Sequence, residues 1–173
     1  MVRFRDNVYI GGYQDVEGTG LSGDRTAREH GAARELLATG ITAILNVGYE
    51  IDDPPMPPPM IRYIKIGLTD SSGNNDYMKR LAVDAMEEML HQGEKVLVHC
   101  AAGLSRSVYV AVMAVARMEN KDWREVFDEL QKVHPFALIG PLFHGEDKYY
   151  RFYKEQEEQA EVESRDKVDD SKS

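Results

Sequence analysis

One segment of the chain gathers residue types able to carry out nucleophilic chemistry: His99-Cys100-Ala101-Ala102-Gly103-Leu104-Ser105-Arg106-Ser107. It follows Lys95-Val96-Leu97-Val98-His99, which reads as a buried strand, and leads into nine apolar residues, Val108–Ala116, which read as a buried helix. A tight loop in that setting turns its backbone N–H groups, here those of about Ala101 to Arg106, toward a common point, and Gly103 supplies the freedom such a nest needs. The positive end of the helix starting near Ser107 faces the same point. A dianion such as phosphate suits this field, and Arg106 adds a planar fork that can grip two of its oxygens. The same field favours the thiolate of Cys100, the form that attacks. The Ser107 hydroxyl can donate to the sulfur and steady it as a leaving group. His99 is expected to orient the loop through hydrogen bonds rather than to act as a base. A cysteine at a strand end is by itself more often a small buried hydrophobe. The spacing of Gly103 and Arg106 behind it carries the chemical reading.

The elements that must position this loop alternate between strand and helix. Asn7–Ile10 reads as a first strand and turn with Gly11-Gly12, and Asp24 can cap a helix over Thr26–Ala38 that Gly40 stops. Ile41–Val47 is apolar and β-branched, as a buried strand requires, and Ile61–Ile66 reads as another. Between them, Gly48–Met60 holds five of the seven prolines and reads as an extended loop, which either borders the substrate groove with Asp52 and Asp53 or is a plain spacer. Asp76–His91 is an amphipathic helix with Met78, Leu81, Met86, Met89 and Leu90 available for its buried side, and Asp76 reads as its N-cap. Helical patterns follow over Ser107–Met118, Asp122–Val133 and Leu142–Gln156, with breaks at Pro135 and Gly140-Pro141. The expectation is an α/β domain with a central, mainly parallel sheet flanked by helices on both faces, the cysteine loop lying between a strand and a buried helix.

Composition limits the function classes. The net charge of −9 argues against nucleic acid as a partner. Residues 155–173 hold eight acids against three bases, so more than half of that charge sits at the C-terminal end. The domain is expected to span residues 1–156, with 157–173 a disordered acidic tail. The longest apolar run is nine residues, about half of the ~20 that a membrane span needs, so no membrane insertion is expected. A single cysteine and an N-terminus without an apolar signal core suggest a reducing, cytoplasmic setting. There is no His/Asp cluster of metal-ligand spacing, so neither metal nor cofactor is expected. His30, His91, His134 and His144 read as surface or packing residues. Oligomeric state is not fixed by the sequence.

His-Cys-x-x-Gly-x-x-Arg-Ser is the signature of the protein tyrosine phosphatase superfamily. The fuller form matched by His99–Ser107, His-Cys-x-Ala-Gly-x-Ser-Arg-Ser, most resembles the dual-specificity branch. Leu45-Asn46-Val47 is similar to a strand of that branch, and Ile139-Gly140-Pro141-Leu142-Phe143 to the segment opening its last helix, so the likeness covers about residues 5–153. Two departures bear on substrate class. Val108-Tyr109 stands where the branch more often has a small residue and Thr, and Ser71-Ser72-Gly73-Asn74-Asn75 differs from the usual wording. The resemblance implies that Asp70, just after a strand, is the general acid, although an aspartate there is commonly a turn residue. It further implies a metal-independent phosphate-monoester hydrolase acting on phosphoproteins through a phosphocysteine. No counterpart of the aromatic recognition loop of tyrosine-specific relatives is found. A shallow pocket open to phosphotyrosine, phosphoserine and phosphothreonine is therefore implied.

Three rival readings are weaker. A phosphatase of a phosphoinositide or an RNA 5′ end would call for basic residues in the loop, where Ala101, Ala102 and Leu104 stand. A non-catalytic phosphate-binding module would lack the nucleophile or the arginine, and both are present. A sulfurtransferase is disfavoured by the Arg106-Ser107 ending and the candidate acid.

Overall fold

Five strands form one sheet in the order β1-β2-β5-β3-β4: β1 Val2–Arg3, β2 Val8–Gly11, β3 Ala43–Gly48, β4 Arg62–Leu68 and β5 Val96–His99. Only β1 runs antiparallel, pairing with β2 at the edge; β2, β5, β3 and β4 are parallel. The computed structural model describes residues 1–16, 27–51, 60–144 and 146, with side chains for all of these except 27–32. The chain divides into two compact units, Met1–Leu142 and Phe143–Ser173. Of the second, only Phe143, His144 and Glu146 are described. The expected cap at Asp24, most of the proline-rich loop with Asp52 and Asp53, most of the helix expected over Leu142–Gln156, and the acidic tail lie outside the described residues.

The central strands are near-continuous apolar runs because both faces of the sheet are covered. On one face Tyr9, Ile44 and Leu97 pack with Val16, Ile41, Ile61 and Leu36, the last from helix α1, Ala27–Thr39. On the other lie α2, Asp76–His91, and α3, Arg106–Met118. Every residue of α3 from Arg106 to Ala116 is buried, which accounts for its lack of a polar stripe. Helix α4, Trp123–Val133, packs against it, capped by Asp122, whose side chain accepts from the Arg124 N–H at 2.8 Å. The first three helices end alike, with a left-handed residue (Gly40, Gly93 or Asn120) followed by a bond from the next N–H back to the last turn.

Two expectations about α2 are corrected. Its N-cap is Asn75, which has extended backbone and accepts from the Tyr77 N–H at 2.8 Å; Asp76 lies inside the first turn. Its buried face is Lys79, Ala82, Val83, Met86, Met89 and Leu90, while Leu81 points outward. Lys79 belongs to that face because its Nζ lies 5.6 Å from the centroid of the Tyr109 ring and donates to the Leu142 carbonyl at 3.2 Å. Among the described residues no helix is long and apolar enough to cross a membrane.

The register of the parallel strands builds the ground on which a site can stand. It sets Gly11, His99 and Asn46 side by side at the carboxyl ends of β2, β5 and β3, the edge at which open parallel sheets bind ligands.

An ion network ties the β1–β2 turn to α3 and α4. Arg5 donates to Glu119 at 2.7 Å and also to Glu129, and Lys121 reaches Glu119 at 2.8 Å and Glu129 at 3.1 Å. Chiefly through the hydrogen bond from Arg5, the Glu119 carboxyl is held at about 2 instead of its ordinary 4.5. A depressed carboxyl pKa stabilises the fold above its unfolded value, and that contribution is lost as pH falls through the folded value. Glu119→Gln is therefore expected to be less stable than the native protein at pH 7, with the difference shrinking between pH 4.5 and pH 2. Thermal unfolding of both proteins across that range checks it; a difference independent of pH would refute the assignment.

Candidate active site

β5 delivers Cys100 to the sheet edge, and the loop after it is pressed against the end of β2. Gly103 has φ +74°, and a Cβ there would lie 2.7 Å from the Gly11 carbonyl carbon and 2.9 Å from the Gly12 nitrogen. Both the conformation and the space therefore demand glycine. The loop's carbonyls are bound from outside. Ala101 accepts from the Tyr13 N–H at 2.8 Å and Leu104 from the Leu138 N–H at 2.8 Å, while the buried His134 ring holds the Gly103 carbonyl at 2.9 Å. Among the described residues the N–H groups of Ala101, Ala102, Leu104 and Ser105 donate to no carbonyl. Outward carbonyls and unengaged N–H groups are the makings of an anion nest.

Cys100 is buried at the base of this loop, its sulfur 3.3 Å from the Ser107 hydroxyl, which lies 3.4 Å from the Gly11 carbonyl. Burial pushes the thiol up. It is outweighed by the Ser107 hydroxyl, the backbone of Ser107 and Gly103 and the charge of Arg106, so the net pKa is lowered.

Arg106 opens α3 and is buried, yet its guanidinium is only partly engaged. Nη1 donates to Glu50 at 2.5 Å and to the Leu68 carbonyl at 3.1 Å, and Nη2 donates to Glu50 at 2.6 Å. The Nε–H, also buried, has no partner among the described residues. A guanidinium has five N–H donors in a rigid plane. Glu50 takes the end-on pair and Leu68 the outer donor of Nη1. The two that remain, on Nε and Nη2, are parallel along one edge, as bidentate binding of an oxyanion requires. The Glu50 hydrogen bonds are the main influence on both partners, lowering the Glu50 pKa and raising that of Arg106. Glu50 is delivered by the close approach of the chain just after β3 to the end of β4: the Tyr49 N–H bonds to the Leu68 carbonyl at 3.1 Å, and a Cβ at Gly67 would stand 3.0 Å from the Tyr49 Cα.

Asp70 lies on the turn after β4, exposed, and accepts from the Ser105 hydroxyl at 2.9 Å, which brings it to the cysteine loop. Asn74 closes that turn, accepting from the Thr69 N–H at 2.8 Å and donating to the carbonyls of Thr69 at 2.6 Å and Ser71 at 2.8 Å. Asp76, one turn away, is paired with Lys79 at 3.4 Å.

The structure thus brings together Cys100, Arg106, Ser107, Ser105, Asp70 and the loop backbone from Ala101 to Leu104. His99 behaves differently from expectation. It is fully buried, and neither ring nitrogen has a hydrogen-bond partner among the described residues. Burial lowers its pKa to about 4, against weaker opposing pulls from the Cys100 backbone and Asp15. With its pKa lowered so far, the ring is a neutral group. Sequence reasoning missed Glu50 and took His134 for a surface or packing residue. Neither has a local signal, since their partners are 56 and 31 residues away.

A family model described as "Dual specificity phosphatase, catalytic domain" matches residues 26–144. Mouse Dual specificity protein phosphatase 12 is 29% identical over 155 residues, covering 86% of this chain and 40% of that protein. Mouse Dual specificity protein phosphatase 14 is 31% identical over 104 residues, covering 58% of this chain and 50% of that one. The chain spans about half or less of the length of these curated relatives. Among solved structures, human DUSP28 superposes with TM-score 0.71 at 19% identity, covering 90% of this chain and 99% of that one. The human tyrosine phosphatase-like serine/threonine/tyrosine-interacting protein superposes with TM-score 0.69 at 20% identity, covering 88% and 97%. At such identities these two likenesses speak to the fold alone.

The arrangement around the sulfur makes a prediction. Ser107→Ala removes the main group that lowers the Cys100 pKa, so the thiol should titrate higher. The pH dependence of alkylation by iodoacetamide reads this directly, because the thiolate is the reacting form. An unchanged midpoint would show that Ser107 does not hold the sulfur.

Proposed function

Because the chain belongs to the dual specificity phosphatase family, we propose that it hydrolyses phosphate monoesters of phosphoproteins, phosphotyrosine and phosphoserine or phosphothreonine alike, through a phosphocysteine intermediate. One observation carries this reading: a cysteine with a lowered pKa lies under unengaged N–H groups and beside the open edge of Arg106.

The substrate phosphate settles in the nest, its oxygens on the loop N–H groups and on Nε and Nη2 of Arg106. The Cys100 thiolate attacks phosphorus in line; the Sγ–P bond forms as the P–O bond to the leaving group breaks. Charge on the equatorial oxygens meets donors that are already oriented, the kind of stabilisation that contributes most to such reactions. Asp70, protonated, gives its proton to the departing phenoxide or alkoxide. A water then attacks the phosphocysteine and passes a proton to the Asp70 carboxylate. Thiolate and inorganic phosphate are released, with Ser107 donating to the returning sulfur.

Glu50 is a positioning residue here, neutralising Arg106 without occupying the edge that faces the phosphate. Ser105 positions Asp70. Protein substrates are favoured over highly charged esters because Ala101, Ala102 and Leu104 add no cation to the nest. The domain is read as residues 1–156, acting without metal or organic cofactor in a reducing, cytoplasmic setting.

Cys100→Ser should abolish turnover of an aryl phosphate while vanadate binding persists, since nest and arginine remain. Asp70→Asn should lower kcat by ~10²–10⁴-fold on esters with poor leaving groups and far less on activated aryl phosphates. Steady-state kinetics over a leaving-group series decides the point. Equal losses across the series would make Asp70 structural, and an active serine variant would remove the mechanism.

A further inference from the structure

The segment joining α4 to Leu142 borders the cysteine loop and exposes an apolar cluster. Val133, Phe136, Leu138 and Ile139 are 51%, 75%, 54% and 57% exposed. Single exposed apolar residues need no explanation, but four large ones within seven positions do. The segment is pinned to the loop at successive residues. The His134 ring meets the Gly103 carbonyl at 2.9 Å, and the Leu138 N–H donates to the Leu104 carbonyl at 2.8 Å. Gly140 lies so close to Ser105 that a Cβ there would fall 2.2 Å from its hydroxyl. Ala137 is buried between these anchors, and its N–H bonds to the His134 carbonyl at 3.0 Å. A backbone held in this way presents Phe136, Leu138 and Ile139 to solvent beside the cysteine loop.

The chemistry of this surface narrows what can cover it. No lysine or arginine occurs from Val133 to Leu142, and the neighbouring loop positions are Ala101, Ala102 and Leu104. A polyphosphorylated headgroup or an anionic membrane surface would be drawn by cations, which this segment lacks on a chain of net charge −9. An apolar surface bonded to the loop that forms the anion nest fits a ligand that carries a phosphate and, a residue or two away, an apolar side chain. In an extended peptide, successive residues advance about 3.3 Å and alternate side chains share a face, so a neighbour of the phosphorylated residue reaches the surface.

Resting on the phosphoprotein reading, we propose that Phe136, Leu138 and Ile139 form a specificity surface that binds a large apolar side chain flanking the phosphorylated residue of the substrate. Partial burial of a leucine or phenylalanine there should raise kcat/KM by roughly three- to tenfold over a charged residue in the same place.

The test uses matched phosphopeptides carrying Leu or Glu at positions on either side of the phosphorylated residue, with a small aryl phosphate as reference. The readout is the ratio of kcat/KM for the Leu and Glu peptides, which does not depend on the fraction of enzyme folded. For the native chain that ratio should be about three to ten on at least one side. In Phe136→Ser and Leu138→Ser it should fall toward one. A native ratio near one, or a ratio that survives both substitutions, overturns the proposal. So does a dimer in sedimentation that Phe136→Ser dissociates while the ratio stays put, since a second copy would then own the surface. If the aryl phosphate is turned over but no phosphopeptide is, the protein-substrate reading fails and takes the specificity surface with it. Good peptide turnover with a flat ratio sinks the specificity surface alone.

Discussion

The site depends on how closely the backbone at Gly103 approaches the end of β2. With 2.7 Å between a notional Cβ and the Gly11 carbonyl carbon, the cysteine loop can lie down only as glycine, and only in the left-handed conformation seen there. That approach allows Tyr13 to take the Ala101 carbonyl, while His134 and Leu138 take those of Gly103 and Leu104. Each bond turns a carbonyl out and leaves the neighbouring N–H groups to the interior of the loop. The parallel register fixes the place, because Gly11 and His99 must come level at the sheet edge for the two segments to meet. Fold and nest are thus linked through one short stretch of backbone packing.

Electrostatics rests on the same frame. A guanidinium buried without a counter-charge would be costly, and Glu50 supplies the charge from the β3–β4 side. Because it uses the end-on pair of donors, neutralisation and readiness for an oxyanion coexist in one side chain. The sulfur shows a similar balance. Burial opposes the thiolate, and the Ser107 hydroxyl, two backbone groups and Arg106 together overcome it. The neutral His99 ring beneath adds no positive charge of its own.

Much of this arrangement was legible in the sequence because it is local. The strand–loop–helix run from Val96 to Met118 carries its period, its glycine and its arginine within a few residues of the cysteine, and α2 has the bounds its pattern predicts. What escaped was set by distance or by near-degeneracy. β1 has two residues, too few for any pattern, and exists only as the edge partner of β2. Asn75 and Asp76 are both good caps, and only the extended backbone of Asn75 decides between them. Lys79 is buried because a carbonyl 63 residues away accepts from it, which hydrophobicity cannot foresee. Glu50 looks like any surface acid until β3 and β4 bring it to Arg106. His99 was expected to hydrogen-bond from its place beside the cysteine; its ring is fully buried, with neither nitrogen paired among the described residues.

The proposed chemistry requires Cys100 to become covalently phosphorylated. The most direct measurement is a single turnover with a radiolabelled phosphate monoester, quenched in acid within the first cycle, followed by digestion and mass spectrometry of the labelled peptide. Label should appear on the peptide containing Cys100, rise with release of the leaving group and decay as inorganic phosphate forms. Release of the leaving group with no covalent label at any quench time, or label on another residue, would contradict the account.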